Sequence, residues 1–219
     1  MVSEIIIHNK LKEEIFVNDI VINNLDLGYE QCKEINSFSL STGDDLLNNL
    51  SSNIANLKAH WVSSDATAHI NNLINVYNGL GALIQNAVLV TYNAAESMIS
   101  VQKVRNANGG GGMIGESLTS SMEFTTITPA EATVRYDVDP SILNDLATLE
   151  TIFDSYNKFL NDFTAKKDEL LSNWLAGANR ERAVNLFESF ADNTSVYTTY
   201  FNEAISNLST ATTNINNNL

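Results

Sequence analysis

The sequence predicts a mainly α-helical protein in which two tandem antiparallel helical hairpins pack as a four-helix bundle. Three observations lead to this prediction. Apolar residues recur at alternating steps of three and four along four stretches of the chain. Within each pair of stretches a short turn opens with a tryptophan, Trp61 or Trp174. Four glycines at 109–112 divide the 219 residues almost in the middle, and neither a helix nor a strand is expected to cross them.

The second half of the chain has the clearer pattern. One apolar stripe predicts a helix over about 141–174, with Pro140 in its first turn and Asp139 as its cap. Another stripe predicts a helix over about 179–215. Because the segment between them is short and contains Gly177, which suits a helix end, the two helices are expected to form a hairpin.

The first half repeats this arrangement less regularly. Apolar stripes predict helices over about 44–60 and 66–103, the first entered through the capping residues at 41–44. A shift of 113 residues brings Trp61 onto Trp174 and registers both stripes without a gap. We interpret this as an internal repeat. The alternative is a chance match between two heptad hairpins.

Short β-branched runs precede each helical hairpin. They lie at 5–7, 15–17 and 20–22 in the first half and at 122–127 and 133–138 in the second. We expect one short β-hairpin before each helical hairpin, paired with the other or with another chain. The predicted organisation is therefore a first unit at 1–106, a flexible glycine-rich linker at 107–121 and a second unit at 122–219.

Composition excludes several classes of function. The formal net charge of −14 argues against nucleic acid and anionic membrane surfaces, since both are bound through Lys and Arg. The most apolar stretch, 80–90, is too short to cross a bilayer, so no stable membrane insertion is expected. The start, Met1 to Glu4, lacks a basic and then apolar leader, so any export is expected to use a route without a cleaved signal peptide.

No constellation of residues predicts catalysis. His60, Asp65 and His69 surround the first turn, but their spacing matches no metal-binding motif, and solvent-exposed turn residues explain them better. Cys32 is the single cysteine and has no nucleophile signature around it. We therefore expect no enzyme activity, no cofactor and no metal.

The two turns and one further pair of residues resemble a known family. Trp61 is followed by Ser63 and the small Ala66, and Trp174 by Ala176 and Gly177. Tyr92 and Glu96 form a Tyr-x-x-x-Glu element near the end of the second predicted helix. This pattern is similar to that of the WXG family, helical-hairpin proteins related to early secreted antigens and exported by the bacterial type VII system. In that family the turn reads Trp-x-Gly, so Ser63 and Ala176 stand at the glycine position.

Members of this family are single hairpins that pair into four-helix bundles, so the resemblance implies that the two tandem hairpins form a covalent pseudodimer. It also implies a function in recognition. A tryptophan at the bend would bury a large area and fix the angle between the helices, with its indole N–H reaching the bend. Tyr92 and Glu96, one helical turn apart, would be read by the secretion machinery. The expected partners are proteins: a second copy or a secreted effector, and the export machinery. The expected role is that of a secreted substrate, partner or adaptor made in a bacterial cytoplasm. Two alternatives remain, an assembly protein of virion-like or surface type and a helical membrane-active toxin.

Overall fold

The computed structural model describes residues 21–133, 135 and 137–218. As predicted, the protein is mainly helical. The helices are α1 (Leu25–Phe38), continued by a π-helical turn (Ser39–Gly43), then α2 (Asp44–His60), α3 (Ser64–Ala107), α4 (Ile142–Asn173) and α5 (Ala178–Asn218). The strands within the described residues are β1 (Val21–Ile22), β2 (Trp61–Val62), β3 (Asp137–Val138) and β4 (Trp174–Ala176).

Helix α1 is the largest departure from the sequence prediction. The strand-like runs were predicted to end at residue 22 and the first helix to begin at about 44, with no helix predicted between them, but the chain is helical from Leu25 through the π-helical turn into α2. The side chain of Asn24 caps α1 by accepting the N–H of Leu27 at 3.1 Å, whereas Gly43 makes no side-chain cap. Tyr29, Cys32 and Ile35 are buried at helical spacing. Burial of this face therefore outweighs the turn-forming residues that follow it.

The predicted β-hairpins are corrected as well. Of the two runs predicted in the second half, 122–127 forms neither helix nor strand, and within 133–138 the described strand is Asp137–Val138. The two short strands that precede the helices pair with the tryptophan turns: β1 with β4 and β2 with β3, both antiparallel. The runs at 5–7 and 15–17 lie outside the described residues. At each tryptophan turn the backbone is extended, so some of its main-chain N–H and C=O groups have no partners within a helix. The short strand that precedes α1 or α4 supplies those partners.

The chain forms two compact units. Unit 1 contains described residues at 21–41, 84–123 and 161–188, and unit 2 contains 42–83, 124–160 and 189–218. Unit 1 thus holds the Trp174 turn with the start of α1 and the end of α3. Unit 2 holds the Trp61 turn with the start of α4 and the end of α5. Each unit draws on both sequence halves, whereas the predicted units at 1–106 and 122–219 follow chain order.

Each unit has its own apolar core. In unit 1 Trp174, Leu170 and Ile35 are fully buried, and the rings of Phe163 and Phe187 meet edge to face with centroids 5.5 Å apart. The ring contact joins α4 to α5, and a hydrogen bond from the side chain of Asn173 to that of Gln31 at 3.2 Å joins α4 to α1.

The core of unit 2 contains a cluster of three aromatic rings from α4 and α5. Phe201 of α5 packs against Phe153 and Tyr156 of α4, both at 5.1 Å between centroids. Leu50 and Leu73 are fully buried on α2 and α3. A Cβ at Gly79 would overlap the phenol of Tyr197, so the glycine leaves room for this side chain of α5 against α3.

The connecting segment, residues 108–136, was predicted to contain a flexible linker at 107–121. Helix α3 does end at Ala107, two residues before the first of the four glycines, as expected from their backbone entropy. From Glu116 onward, however, side chains of α1 and α3 hold the segment. In unit 1 the hydroxyl of Tyr29 bonds both main-chain groups of Glu116 (2.8 and 2.9 Å), and Asn36 donates to the carbonyl of Thr119 at 3.0 Å.

Candidate recognition sites at the turns and on α3

The first turn is built around Trp61. Its main-chain N–H donates to the carbonyl of Leu57 and ends α2, and its ring, 5% exposed, lies parallel to the His69 ring with centroids 5.8 Å apart. Ser63, at the glycine position of the family motif, accepts the N–H of Ala66 through its Oγ at 2.9 Å. Ser63 is thus the N-cap of α3, and Ala66 is fully buried behind it.

The second turn is built around Trp174, which is fully buried. Its indole N–H is buried without a hydrogen-bond partner, so the expected bond from the indole to the bend is not formed. Instead Arg180 donates from Nε to the carbonyl of Trp174. Gly177 has φ of 131°, a conformation that only glycine adopts readily, and it reverses the chain into α5. Ala176 pairs with Val21 in the short sheet.

The two turns are closed in the same way. In each, the tryptophan pairs with the last residue of the short strand that precedes the first helix of the other half of the chain. The carbonyl before the tryptophan accepts one more main-chain N–H from the residue after that strand. The pairs are Trp61–Val138 with His60–Asp139 at 2.9 Å in unit 2, and Trp174–Ile22 with Asn173–Asn23 at 2.9 Å in unit 1.

Side chains reinforce these closures. In unit 2 Nδ1 of His60 lies 2.8 Å from the carboxylate of Asp145, which is 5% exposed. In unit 1 the amide of Asn173 bonds both main-chain groups of Asn24 at 3.0 Å. Sequence reasoning missed Asn173 and Asp145, because their partners lie far away along the chain.

The residues considered for metal binding or nucleophilic chemistry do not converge on one site. His60 bonds Asp145, His69 stacks on Trp61, and Asp65 is exposed. Over the described ranges no group of three His, Cys, Asp or Glu side chains is placed to hold a metal ion. Burial raises the pKa of the Cys32 thiol to about 12, so the reactive thiolate is scarce at neutral pH.

Tyr92 and Glu96 lie one turn apart on the part of α3 that belongs to unit 1, and both are partly exposed. The carboxylate of Glu96 accepts a hydrogen bond from the hydroxyl of Ser117 in the connecting segment. The two predicted signal residues therefore share a face, and one of them also fastens the segment that follows α3.

Sequence reasoning also missed a row of amides on α3. Asn71, Asn78 and Gln85 are seven residues apart, and each bonds the main chain of the connecting segment. The signal was present: amides repeat at heptad spacing in a stretch where no Asp, Glu, Lys or Arg occurs between Asp65 and Glu96.

Helix α3 is the one described helix that is long and apolar enough to cross a membrane by length and composition. Of the 18 most apolar consecutive residues of α3, 56% are buried. A helix in the core of a water-soluble protein can have the same length and apolar composition.

The sequence matches no protein-family model, and neither curated proteins nor solved structures gave a match. The resemblance to the WXG family therefore rests on the two tryptophan turns and on the Tyr92–Glu96 pair.

Proposed function

We propose that the protein is a non-catalytic substrate of a type VII secretion system, or a partner or adaptor of such a substrate, and that it acts through helix–helix recognition. In this proposal the two tandem hairpins form a pseudodimer, equivalent to a pair of separate WXG-like chains joined by the connecting segment.

The closure of both turns carries this proposal. Trp61 pairs with Val138 in unit 2, and Trp174 pairs with Ile22 in unit 1. Each turn is thus completed by the chain that enters the other hairpin. A lone hairpin would leave these main-chain groups and the apolar stripe of its helices unsatisfied, and both requirements are met by pairing two hairpins.

The partly exposed face with Tyr92 and Glu96 supplies the proposed contact with the export machinery. A phenol and a carboxylate one turn apart can together present an apolar ring, a hydroxyl and a negative charge to a partner. The turn residues Trp61, Ser63, Ala66, Trp174, Ala176 and Gly177 act on this face only indirectly, by fixing the hairpins.

Export from the native host tests the proposal. Tyr92→Ala and Glu96→Gln should each abolish accumulation in the medium while the protein persists in the cell lysate. Deletion of the secretion ATPase should have the same effect. Export of the chain from the ATPase-deficient strain would overturn the proposal.

Ser117→Ala is the matched control for Glu96. It removes the same hydrogen bond to the connecting segment but leaves the carboxylate in place. If the carboxylate is read by the machinery, Ser117→Ala is exported normally. Equal loss of export in Ser117→Ala and Glu96→Gln would assign Glu96 a purely structural role.

A second candidate, a helical membrane-active toxin, is favoured by the length and apolar composition of α3. The side-chain amides of α3 argue against this candidate, because each amide that enters the hydrocarbon of a bilayer without a hydrogen-bond partner costs free energy. Leakage of dye from vesicles of neutral lipid by the purified chain would favour this candidate. Intact vesicles together with export-dependent secretion would favour the first.

A further inference from the structure

Within unit 2, two asparagines of α3 bind the connecting segment by its main chain alone. Asn78 donates to the carbonyl of Ile127 at 3.0 Å and accepts its N–H at 2.9 Å. Asn71 donates to the carbonyl of Ala130 at 3.1 Å and accepts its N–H at 2.7 Å. Each asparagine thus bonds one residue as a neighbouring β-strand would, so this contact requires an extended backbone rather than a particular side chain.

A notch beside these asparagines receives an aromatic ring. A Cβ at Gly81 would overlap the ring of Phe124, so only glycine admits it there. Tyr77 lines the notch, with its ring centroid 5.2 Å from that of Phe124, and donates its hydroxyl to the carbonyl of Thr125 at 3.2 Å. The notch therefore adds side-chain selectivity to the main-chain contact.

The segment that fills this face is suited to an extended shape. Pro129 stands between the two doubly bonded residues and has no N–H to satisfy. It also disfavours helical backbone at Thr128, whose carbonyl accepts a hydrogen bond from Lys58 at 3.3 Å. The loss of backbone freedom on docking is therefore small for this segment.

The second hairpin has no equivalent face. The repeat shift of 113 residues places Val184 and Ala191 of α5 at the positions of the two asparagines, and neither has a side-chain amide. The same shift places Thr194, which has a Cβ, at the position of the glycine that admits the ring. Two second hairpins would lack the asparagines. In two first hairpins the same shift places Leu11 and Phe16 at the positions of Phe124 and Pro129, so the arm would lack the aromatic ring and the proline. Only a first hairpin joined to a second has both the face and the segment that fills it.

We propose that this face of α3, formed by Asn71, Tyr77, Asn78 and Gly81 and here called the arm site, selects the second hairpin as the partner of the first. Its ligand is the extended arm at 124–130 that precedes α4, and the recognition operates equally when the two hairpins are separate polypeptides. This inference rests on the proposed pairing of two hairpins but not on secretion.

The test uses the full chain with a protease recognition sequence inserted after Gly111. A Cβ at Gly109 or Gly111 would meet nothing within 4 Å, so the inserted residues have room at this point. After cleavage of the folded protein, the two fragments should remain a 1:1 complex in size-exclusion chromatography. The dissociation rate is then read from fluorescence energy transfer after mixing with an excess of unlabelled cleaved protein.

The decisive variant is Asn71→Ala combined with Asn78→Ala, which should speed dissociation at least tenfold. Asn75→Ala combined with Asn86→Ala is the matched control, since both residues are exposed on the same helix, and it should leave the rate unchanged. Equal dissociation rates in the two double variants would overturn the proposal.

If a variant does not remain folded after cleavage, a second measurement on the uncleaved chain tests the same contact. In the uncleaved chain, hydrogen exchange at the amides of Ile127 and Ala130 reports their bonds to Asn78 and Asn71 directly. Phe124→Ala, which empties the notch, should raise exchange at both amides at least tenfold. Unchanged exchange would overturn the role of the notch, whatever the outcome of the secretion experiment.

Discussion

The carbonyl oxygen of His60 accepts a hydrogen bond from the main-chain N–H of Asp139 at 2.9 Å. Asp139 also caps the start of α4, because its carboxylate accepts the N–H of Ser141 at 2.7 Å. One residue therefore joins the end of α2 to the beginning of α4 within unit 2. In unit 1, Asn23 and Asn173 make the same main-chain contact at the other turn.

The pH dependence of stability should report the Asp139 cap. Hydrogen bonds from Ser141 lower the pKa of Asp139 below its ordinary value of 3.8, and nearby His60 lowers it further. Because the folded pKa is the lower one, the ionised carboxylate stabilises the fold above pH 3.8, and this contribution is lost as the pH falls through the folded pKa. Asp139→Asn should therefore weaken the acid-induced decrease in the free energy of unfolding, measured with urea at a series of pH values.

Asp154→Asn is the control for this measurement, since Asp154 is an exposed carboxylate on the same helix. It should retain the acid dependence of the wild type. The same acid dependence in Asp139→Asn as in the wild type would contradict the assigned role of the cap.

Gly177→Ala should destabilise the protein by about 1–3 kcal/mol, because a side chain is strained at positive φ. Gly177 has φ of 131°, and it follows directly after the β4 strand that pairs with β1. Urea unfolding measures the effect. Gly111→Ala is the control: its Cβ would meet nothing within 4 Å, and its stability should stay within about 0.5 kcal/mol of the wild type. A similar small change for both variants would show that the second turn does not depend on glycine.

Ser63→Ala should lower the free energy of unfolding by about 1 kcal/mol, because it removes the N-cap of α3. Ser63→Gly, which introduces the glycine of the Trp-x-Gly motif, should cost only a few tenths of a kcal/mol, since glycine is tolerated at this position. Ser64→Ala, an exposed neighbour, should be close to neutral. A lower free energy of unfolding for Ser63→Ala than for Ser63→Gly indicates an N-cap. If only the small size of residue 63 matters, Ser63→Ala should lose no stability.

Thiol labelling should report the opening of unit 1. Burial raises the pKa of Cys32 from 9.0 to about 12, and the side chain is fully buried. We expect the native thiol to react with a chromogenic disulfide reagent at pH 8 at least a hundredfold more slowly than the urea-unfolded chain, since about 1.4 kcal/mol of opening free energy corresponds to each factor of ten. Ser100→Cys, placed at an exposed position of α3, should react at once. Equal rates at the two positions would contradict the burial of Cys32.

Part of the fold follows from local sequence pattern. The mainly helical class is evident from the apolar stripes, the glycines at 109–112 follow the end of α3, and Gly177 lies in the turn directly before α5. These features depend on side chains within a few residues of one another, so a single stretch contains all the information they need. The same reasoning failed for α1, because Gly28 and several polar residues interrupt its stripe and the burial that stabilises it comes from other parts of unit 1.

The sequence by itself determined where long amphipathic helices form and where Trp61 and Trp174 interrupt them, since both depend on spacing along the chain. Only the tertiary structure decided what each turn and each amide binds. Val138 closes the Trp61 turn, and Ile127 is held by Asn78, although neither partner is near in sequence. The sequence of a β-branched run, or the presence of an asparagine, does not identify the hydrogen-bond partner. Nearly every residue offers the same main-chain N–H and C=O groups, so only the tertiary structure decides which groups meet.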